Sequence, residues 1–480
     1  MLKDDNYLKL KPEWVLRNDG NKVILYLTST KNIEYQILDP VTATVISLIN
    51  GRRCVGDLTK TIGFLFDIST DSSRSLLENI VNVLNDKLEK IDVLDVPDTT
   101  AVEYNPLDFL VSPEEFVCQH RLARPLTLML YFSGWCQTNC IYCYADLTNM
   151  RKLNHMSLGQ WMEIMEQARD LGIRMLQLTG GDPMSRPDSA EFLAKLTEMG
   201  FIFLASTKCY VSLDDANRLA EAGWNNPVNG VNREFQVSID SPDPETADRL
   251  MRCKGYLSRA TETLQNLMDA GIEPKVKAVL TPINYHQAYD HVETFSELGI
   301  RNFQFTSYAR SHYRHDDHLF LTDEMKLKAS DLLKAAKESW PDLIIEGDAV
   351  KYTPPSPESQ KERRKKWESR AGCSAGRTTL GIAPDGSAVL CEQMPLDAKY
   401  FFGDLKRQSI MEVWNSPELL RFICPPRENF VGTPCQLCTD FNNCIHDKGY
   451  CFRDALFAYG RIHHPPPDCP QMPVGAYRLT

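Results

Sequence analysis

Three cysteines lie in one short loop, Trp135-Cys136-Gln137-Thr138-Asn139-Cys140-Ile141-Tyr142-Cys143-Tyr144. At spacings of three and two intervening residues, their thiolates wrap a single four-iron cubane and fill three of its irons. The fourth iron stays open, which a four-cysteine structural site never allows, and an open iron means chemistry. The loop follows an apolar run, Leu126 to Phe132, that reads as a buried strand. It therefore sits at a strand's C-terminal end, where barrel enzymes place their chemistry. Two blander readings compete, a zinc site or scattered buried thiols. Zinc ribbons pair two Cys-x-x-Cys hooks, and the second hook is missing nearby.

The residues around the loop predict an α/β fold. Strands are expected at Leu126–Phe132, Ile173–Thr179, Phe201–Ser206, Glu234–Ile239, Lys275–Thr281 and Asn302–Thr306. Helices are expected at Ser157–Leu171, Ser189–Met199, Leu213–Ala222, Ser258–Ala270 and His286–Leu298. Six βα units make a partial barrel. Ahead of it, Lys22–Leu27 and Ile33–Ile37 read as a hairpin. Three helices follow, the first opened by Asp39-Pro40 and the others at Val55–Phe64 and Ser72–Leu88. Residues from Ile91 to about Pro125 read as a linker, broken by Asp95-Val96-Pro97-Asp98 and Asn105-Pro106. The expected domains are 1–92, a linker 93–124, the barrel 125–340 and a cysteine-rich C-terminal domain 341–480.

A chain of 480 residues with net charge -11 has no global basic field to attract nucleic acid or an anionic membrane. Fifteen cysteines without a signal peptide or a long apolar run read as metal-binding thiols of a cytoplasmic protein.

The cluster loop resembles that of the radical S-adenosylmethionine (radical SAM) enzymes, in which SAM chelates the open iron. The resemblance implies that Tyr142 packs near the adenine. It further implies that Gly180-Gly181-Asp182-Pro183, after the second strand, meets the SAM amino group, with Asp182 in place of the commoner Glu. Ser238, at the end of the fourth strand, is expected to meet the ribose or carboxylate, and Arg252 to pair with the carboxylate. Cys209, just past the third strand, is either a hydrogen-atom donor or plain core. The N-terminal hairpin and helices resemble a winged-helix element that binds leader peptides; the third helix lacks the basic composition of a DNA reader.

The C-terminal cysteines resemble the SPASM extension, which holds two auxiliary four-iron clusters. By that resemblance Cys373, Cys391 and Cys451 serve the first and Cys435, Cys438, Cys444 and Cys469 the second. Asp385-Gly386 between two apolar runs signals a hairpin that brings Cys373 and Cys391 together. Two departures stand out. Six residues separate Cys444 from Cys451 where the family has three, and no further cysteine lies in 363–372 or 374–390. The first auxiliary cluster then either keeps an open iron or takes Cys118 or Cys424 from a distance.

The resemblance implies a maturase of ribosomally made peptides, with three [4Fe-4S] clusters, SAM, a precursor peptide carrying a leader, and a flavodoxin- or ferredoxin-type electron donor. The open auxiliary iron favours an oxidative crosslink, a cysteine thioether ahead of a carbon-carbon or carbon-oxygen bond. Epimerisation, oxidation of another enzyme's active-site residue, and a purely electron-transferring protein are the alternatives.

Overall fold

Asp39 and Pro40 start a helix as their chemistry requires. The Asp39 carboxylate accepts from the Thr42 amide at 2.9 Å, and Pro40 supplies a preset first turn. The computed structural model describes residues 2–20, 22–31, 33–91, 103–111, 120–311, 313–354, 358–475 and 477. These fall into two compact units, Met1–Ala123 with Pro227–Val231, and Arg124–Asn226 with Asn232–Thr480.

The first unit contains strands β1 (Tyr7–Leu10), β2 (Trp14–Asn18), β3 (Val23–Leu27) and β4 (Glu34–Leu38), then helix α1 (Pro40–Leu48). Strand β5 (Asn50–Cys54), helices α2 (Val55–Phe66) and α3 (Thr70–Leu84) and strand β6 (Leu88–Ile91) complete it. The expected hairpin β3-β4 and three helices are present. Two features go beyond them: β2 widens the hairpin to a three-stranded sheet, and β5-β1-β6 form a second one. Their sequences explain the omission, since Asn-Gly-Arg-Arg-Cys in β5 has no strand propensity and is held by pairing with β1 alone. Part of the expected linker belongs to this core, because Phe109 is buried in it and the Tyr104 hydroxyl accepts from the Leu16 amide at 3.0 Å.

The second unit is built on one nine-stranded sheet. Its elements are β7 (Thr127–Ser133), α4 (Leu147–Met150), α5 (Leu158–Asp170), β8 (Met175–Gly180), α6 (Ser189–Glu198), β9 (Ile202–Thr207) and α7 (Leu213–Glu221). There follow β10 (Glu234–Ser238), α8 (Pro244–Met251), α9 (Tyr256–Asp269), β11 (Pro274–Leu280), α10 (Ala288–Glu297) and β12 (Asn302–Ser307). Strands β7 to β12 run parallel in chain order, each joined by a helical crossover, as the βα periodicity predicts. Helix α11 (Asp323–Ser339) leads to a short parallel edge strand, β13 (Ile344–Glu346).

The C-terminal region contains α12 (Gln360–Glu368), β14 (Thr379–Ile382), β15 (Ala388–Val389), α13 (Ile410–Trp414), α14 (Pro417–Ile423) and α15 (Phe452–Tyr459). Strands β14 and β15 form the expected hairpin, with Gly386 at φ +89° in its turn. The hairpin does not stand apart. Strand β14 pairs in parallel with β7, from Thr379 beside Thr127 to Ile382 beside Leu130, so the cysteine-rich region continues the barrel sheet.

His291, on α10, is buried among Phe295, Phe303 and Phe305, and one ring nitrogen meets the Ile239 carbonyl at 2.7 Å. Burial pushes its pKa down to about 4. A lowered histidine pKa contributes stability that is complete above the unfolded value of about 6.5 and lost as pH falls toward 4. We therefore expect stability to fall by up to about 3 kcal/mol more over that window in the wild type than in His291→Gln. Anaerobic denaturant titrations at several pH values check this; parallel profiles for the two proteins would contradict it.

Candidate active site

Strand β7 is buried along its whole length, and the cysteine loop leaves its C-terminal end. The Gly180-Gly181-Asp182 turn at the end of β8 is laced to that exit. The Gly181 amide donates to the Ser133 carbonyl at 2.7 Å and the Asp182 amide to the Trp135 carbonyl at 2.7 Å. A methyl group on Gly181 would lie 2.1 Å from the Trp135 carbonyl oxygen, and Gly180 sits at φ +107°. The glycines are thus needed for contact between two loops, before any ligand enters. Gly181→Ala should displace the loop and destabilise the protein by about 1–3 kcal/mol. Loss of bound iron together with an earlier unfolding transition would bear this out, and unchanged iron content would not.

Cys136, Cys140 and Cys143 line one cavity of about 130 Å³ together with Tyr142, Gly180, Gly181, Asp182, Ser206, Lys208 and Ser238. The loop is gripped from two sides and braced from within. Helix α8 accepts from it through the Met251 and Leu250 carbonyls, bound by the Asn139 and Ile141 amides at 2.9 and 3.0 Å. Arg314 donates to the Asn139 and Cys140 carbonyls at 2.6 and 2.7 Å. Thr138 Oγ1 lies 3.2 Å from Cys136 Sγ and 3.4 Å from Cys140 Sγ.

The hydroxyl of Tyr142 donates to the buried Asp240 carboxylate, which fixes its ring. Asp182 is also buried, and its carboxylate accepts from the Met184 amide at 2.9 Å, Thr207 Oγ1 at 2.7 Å and the Lys208 amide at 2.6 Å. It ties β8 to the end of β9. Arg252 stands apart. It ends α8 in the left-handed conformation, with φ 47°, its side chain is exposed, and it does not line the cavity. Lys208 supplies the cation there instead. Burial pulls its pKa down, but the acidic groups beside it, Cys140, Asp240, Cys136 and Asp182, outweigh that and hold it above the ordinary value. Cys209 is core, buried with its thiol pKa raised by desolvation, and is not in the cavity lining.

The C-terminal cysteines form two groups. Cys435, Cys438, Cys444 and Cys469 line one cavity of about 300 Å³, with Arg370 Nη2 3.3 Å from Cys444 Sγ. Cys391 and Cys451 are each electrostatic neighbours of Cys373, and all three lie near Arg453. The long interval before Cys451 is taken up by a seven-residue π-helix, Asn442–Lys448, whose wider turn carries the added residues. Cys118 lies outside the described residues, and Cys424 is exposed, with its sulfur 4.0 Å from the His446 carbonyl.

The two sites are joined. Tyr144 pairs with Thr179 Oγ1 at 2.9 Å, and Thr179 donates to Glu392 Oε2 at 2.8 Å, so a hydrogen-bonded chain runs from the residue after Cys143 to the residue after Cys391. The fully buried Tyr131 hydroxyl, close to Cys391, Glu392 and Tyr144, has no partner among the described residues.

The donor sets suit iron-sulfur clusters. Each is made of cysteine sulfur, and burial favours the protonated thiol at Cys136, Cys391 and Cys435, pushing the first up to about 11 and the other two to about 12. Loading metal therefore releases protons. Among the described residues no three His, Cys, Asp or Glu converge on a single ion; a cubane spreads its thiolates over separate irons and does not need that convergence.

Residues 130–301 match the family model of the radical SAM superfamily, and residues 373–444 match SPASM, an iron-sulfur cluster-binding domain. The chain is a radical SAM/SPASM protein. Its cofactors are [4Fe-4S] clusters and SAM. A probable GTP 3',8-cyclase of Methanothermobacter thermautotrophicus is 32% identical over 38% of this chain, and the match spans only 57% of that relative. The PqqA peptide cyclase of Rhizobium meliloti is 24% identical over 70% of this chain and 89% of its own length. Crystal structures of Streptococcus suis SuiB share the fold of this radical SAM/SPASM protein. Bound to SAM, SuiB superposes with TM-score 0.63 at 17% identity, covering 96% of this chain and 99% of SuiB. Bound to the precursor peptide SuiA it gives 0.61 at 16% identity, covering 97% and 98%. No helix among the described residues is long and apolar enough to cross a membrane.

Sequence reasoning missed Lys208, Asp240, Arg314 and Glu392. Lys208 and Glu392 each adjoin a residue it singled out, and Asp240 lies two beyond Ser238, but nothing local marks these side chains as facing inward.

Proposed function

We propose that this radical SAM/SPASM enzyme matures a ribosomally made precursor peptide by installing an oxidative crosslink, a thioether from a substrate cysteine ahead of a carbon-carbon or carbon-oxygen bond. The observation that carries the reading is the Tyr144–Thr179–Glu392 chain between the cluster loop and Cys391. The PqqA peptide cyclase and the SuiB–SuiA complex support a peptide substrate. The N-terminal unit is assigned to the leader, taken as an added strand at a sheet edge.

In this reading Cys136, Cys140 and Cys143 hold the SAM-binding cluster, Cys373, Cys391 and Cys451 the first auxiliary cluster, and Cys435, Cys438, Cys444 and Cys469 the second. Tyr142, Gly180, Gly181, Asp182 and Ser238 shape the SAM site, and Lys208 takes the carboxylate role that the resemblance gave to Arg252. When bound, these groups supply a 5'-deoxyadenosyl radical that removes a hydrogen atom from carbon, and a sink for one electron. Joining a thiol to a C–H carbon removes two hydrogens, one as that atom and the other as a proton and an electron. Glu392 accepts the proton, and Thr179, itself fixed by Tyr144, orients its carboxylate.

Mass spectrometry of precursor incubated anaerobically with enzyme, SAM and reductant tests the bond type. Loss of two hydrogens with a free thiol disappearing in step is expected. Loss of two hydrogens with every thiol still free would replace the thioether by another crosslink, and an unchanged mass with deuterium uptake would indicate epimerisation.

A further inference from the structure

Helix α12 is the most basic segment of an acidic protein. From Glu358 to Arg370 it carries six cations, Lys361, Arg363, Arg364, Lys365, Lys366 and Arg370, against three carboxylates, while the whole chain has net charge -11. None of its residues is buried, so no apolar stripe explains its position. Instead it is capped by a reciprocal Ser359–Glu362 box and attached through polar contacts and the half-buried Trp367.

Those contacts lead to one place. Arg363 donates to the Cys469 and Met472 carbonyls, both at 3.1 Å, and Arg370 reaches Cys444 Sγ. Arg364 and Trp367 line the cavity that contains Cys435, Cys438, Cys444 and Cys469. The outward residues differ. Lys361 and Lys365 are exposed with no ion-pair partner among the described residues, and Lys366 has only an exposed contact with Glu358 at 3.2 Å. One face of α12 thus holds the cysteine segments, and the exposed one carries Lys361 and Lys365 without ion-pair partners among the described residues.

We infer that α12 is the docking face for an acidic one-electron carrier protein, placing the carrier's redox centre against the cluster held by the Cys435, Cys438, Cys444 and Cys469 set. The inference rests on the cluster assignment above. Complementary charge steers such partners and gives binding that salt weakens. An acidic precursor peptide is the competing occupant. Carrier docking is favoured because Arg364 and Arg370 of this segment line the four-cysteine cavity and none of its residues lines the barrel cavity.

The test uses the full cluster-loaded protein and a plant-type [2Fe-2S] ferredoxin as probe, with affinity measured by anaerobic calorimetry at low salt and at ~0.5 M salt. The variant Lys361→Glu/Lys365→Glu/Lys366→Glu leaves every cysteine contact in place. It is expected to bind ferredoxin at least ~10-fold more weakly at low salt, with the difference vanishing at high salt. A control reversing Lys60, Lys328 and Lys334, matched in net charge, should bind as wild type does. Equal affinity for the α12 variant and wild type overturns the inference, as does loss of precursor binding with ferredoxin binding intact. Iron content of the same samples separates the two levels: wild-type protein with no cluster on the four-cysteine set overturns the assignment beneath, whereas cluster-bearing protein indifferent to the reversal overturns docking alone.

Discussion

Replacing Cys136, Cys140 and Cys143 together by alanine is expected to abolish 5'-deoxyadenosine formation and to remove roughly four irons per chain. The three sulfurs are the soft donors of their cavity, and its other lining residues offer only hydroxyls, amides, Asp182 and Lys208. Of the other twelve cysteines, the seven assigned to auxiliary clusters lie elsewhere, four in their own cavity and three beside Arg453, so the auxiliary iron should persist. Iron determination alongside chromatography of the nucleoside product checks both halves. A triple variant that still cleaves SAM would remove the cluster loop from the centre of the chemistry.

The second large effect concerns Glu392. Changing it to Gln keeps an oxygen that can accept from Thr179, now 2.8 Å from the carboxylate, but removes the capacity to take a proton. Crosslinked product should fall by about 10²–10⁴-fold while 5'-deoxyadenosine continues to form, because radical generation does not need this proton transfer. The ratio of product to 5'-deoxyadenosine is therefore the quantity to follow. Thr179→Val should lower it less, since the base remains and only its orientation is lost. An unchanged ratio in Glu392→Gln would take the carboxylate out of the reaction.

The contrast between these two sites shows where sequence is informative. The cysteine loop is legible because a cluster demands particular ligands at short fixed spacings, and a strand must deliver them; the parallel strands were legible for the related reason that buried apolar runs alternate with amphipathic helices. Glu392 was hidden because its partner Thr179 lies 213 positions away, brought near by the pairing of β14 with β7. Nothing in Thr379–Ile382 marks it as a neighbour of Thr127–Leu130. Arg314 likewise grips the cluster loop from 175 residues downstream. Arg252 was placed by its position in a motif, but the left-handed turn that ends α8 leaves its side chain in solvent, and Lys208, unmarked in the sequence, takes up the charge in the cavity.

In the proposed reaction a hydrogen atom leaves a peptide carbon for the 5'-deoxyadenosyl group. Precursor uniformly deuterated at carbon, incubated with enzyme, unlabelled SAM and reductant, tests it directly. Deuterium is expected in the recovered 5'-deoxyadenosine in proportion to crosslinked peptide. Unlabelled 5'-deoxyadenosine beside a precursor of unchanged mass would contradict it.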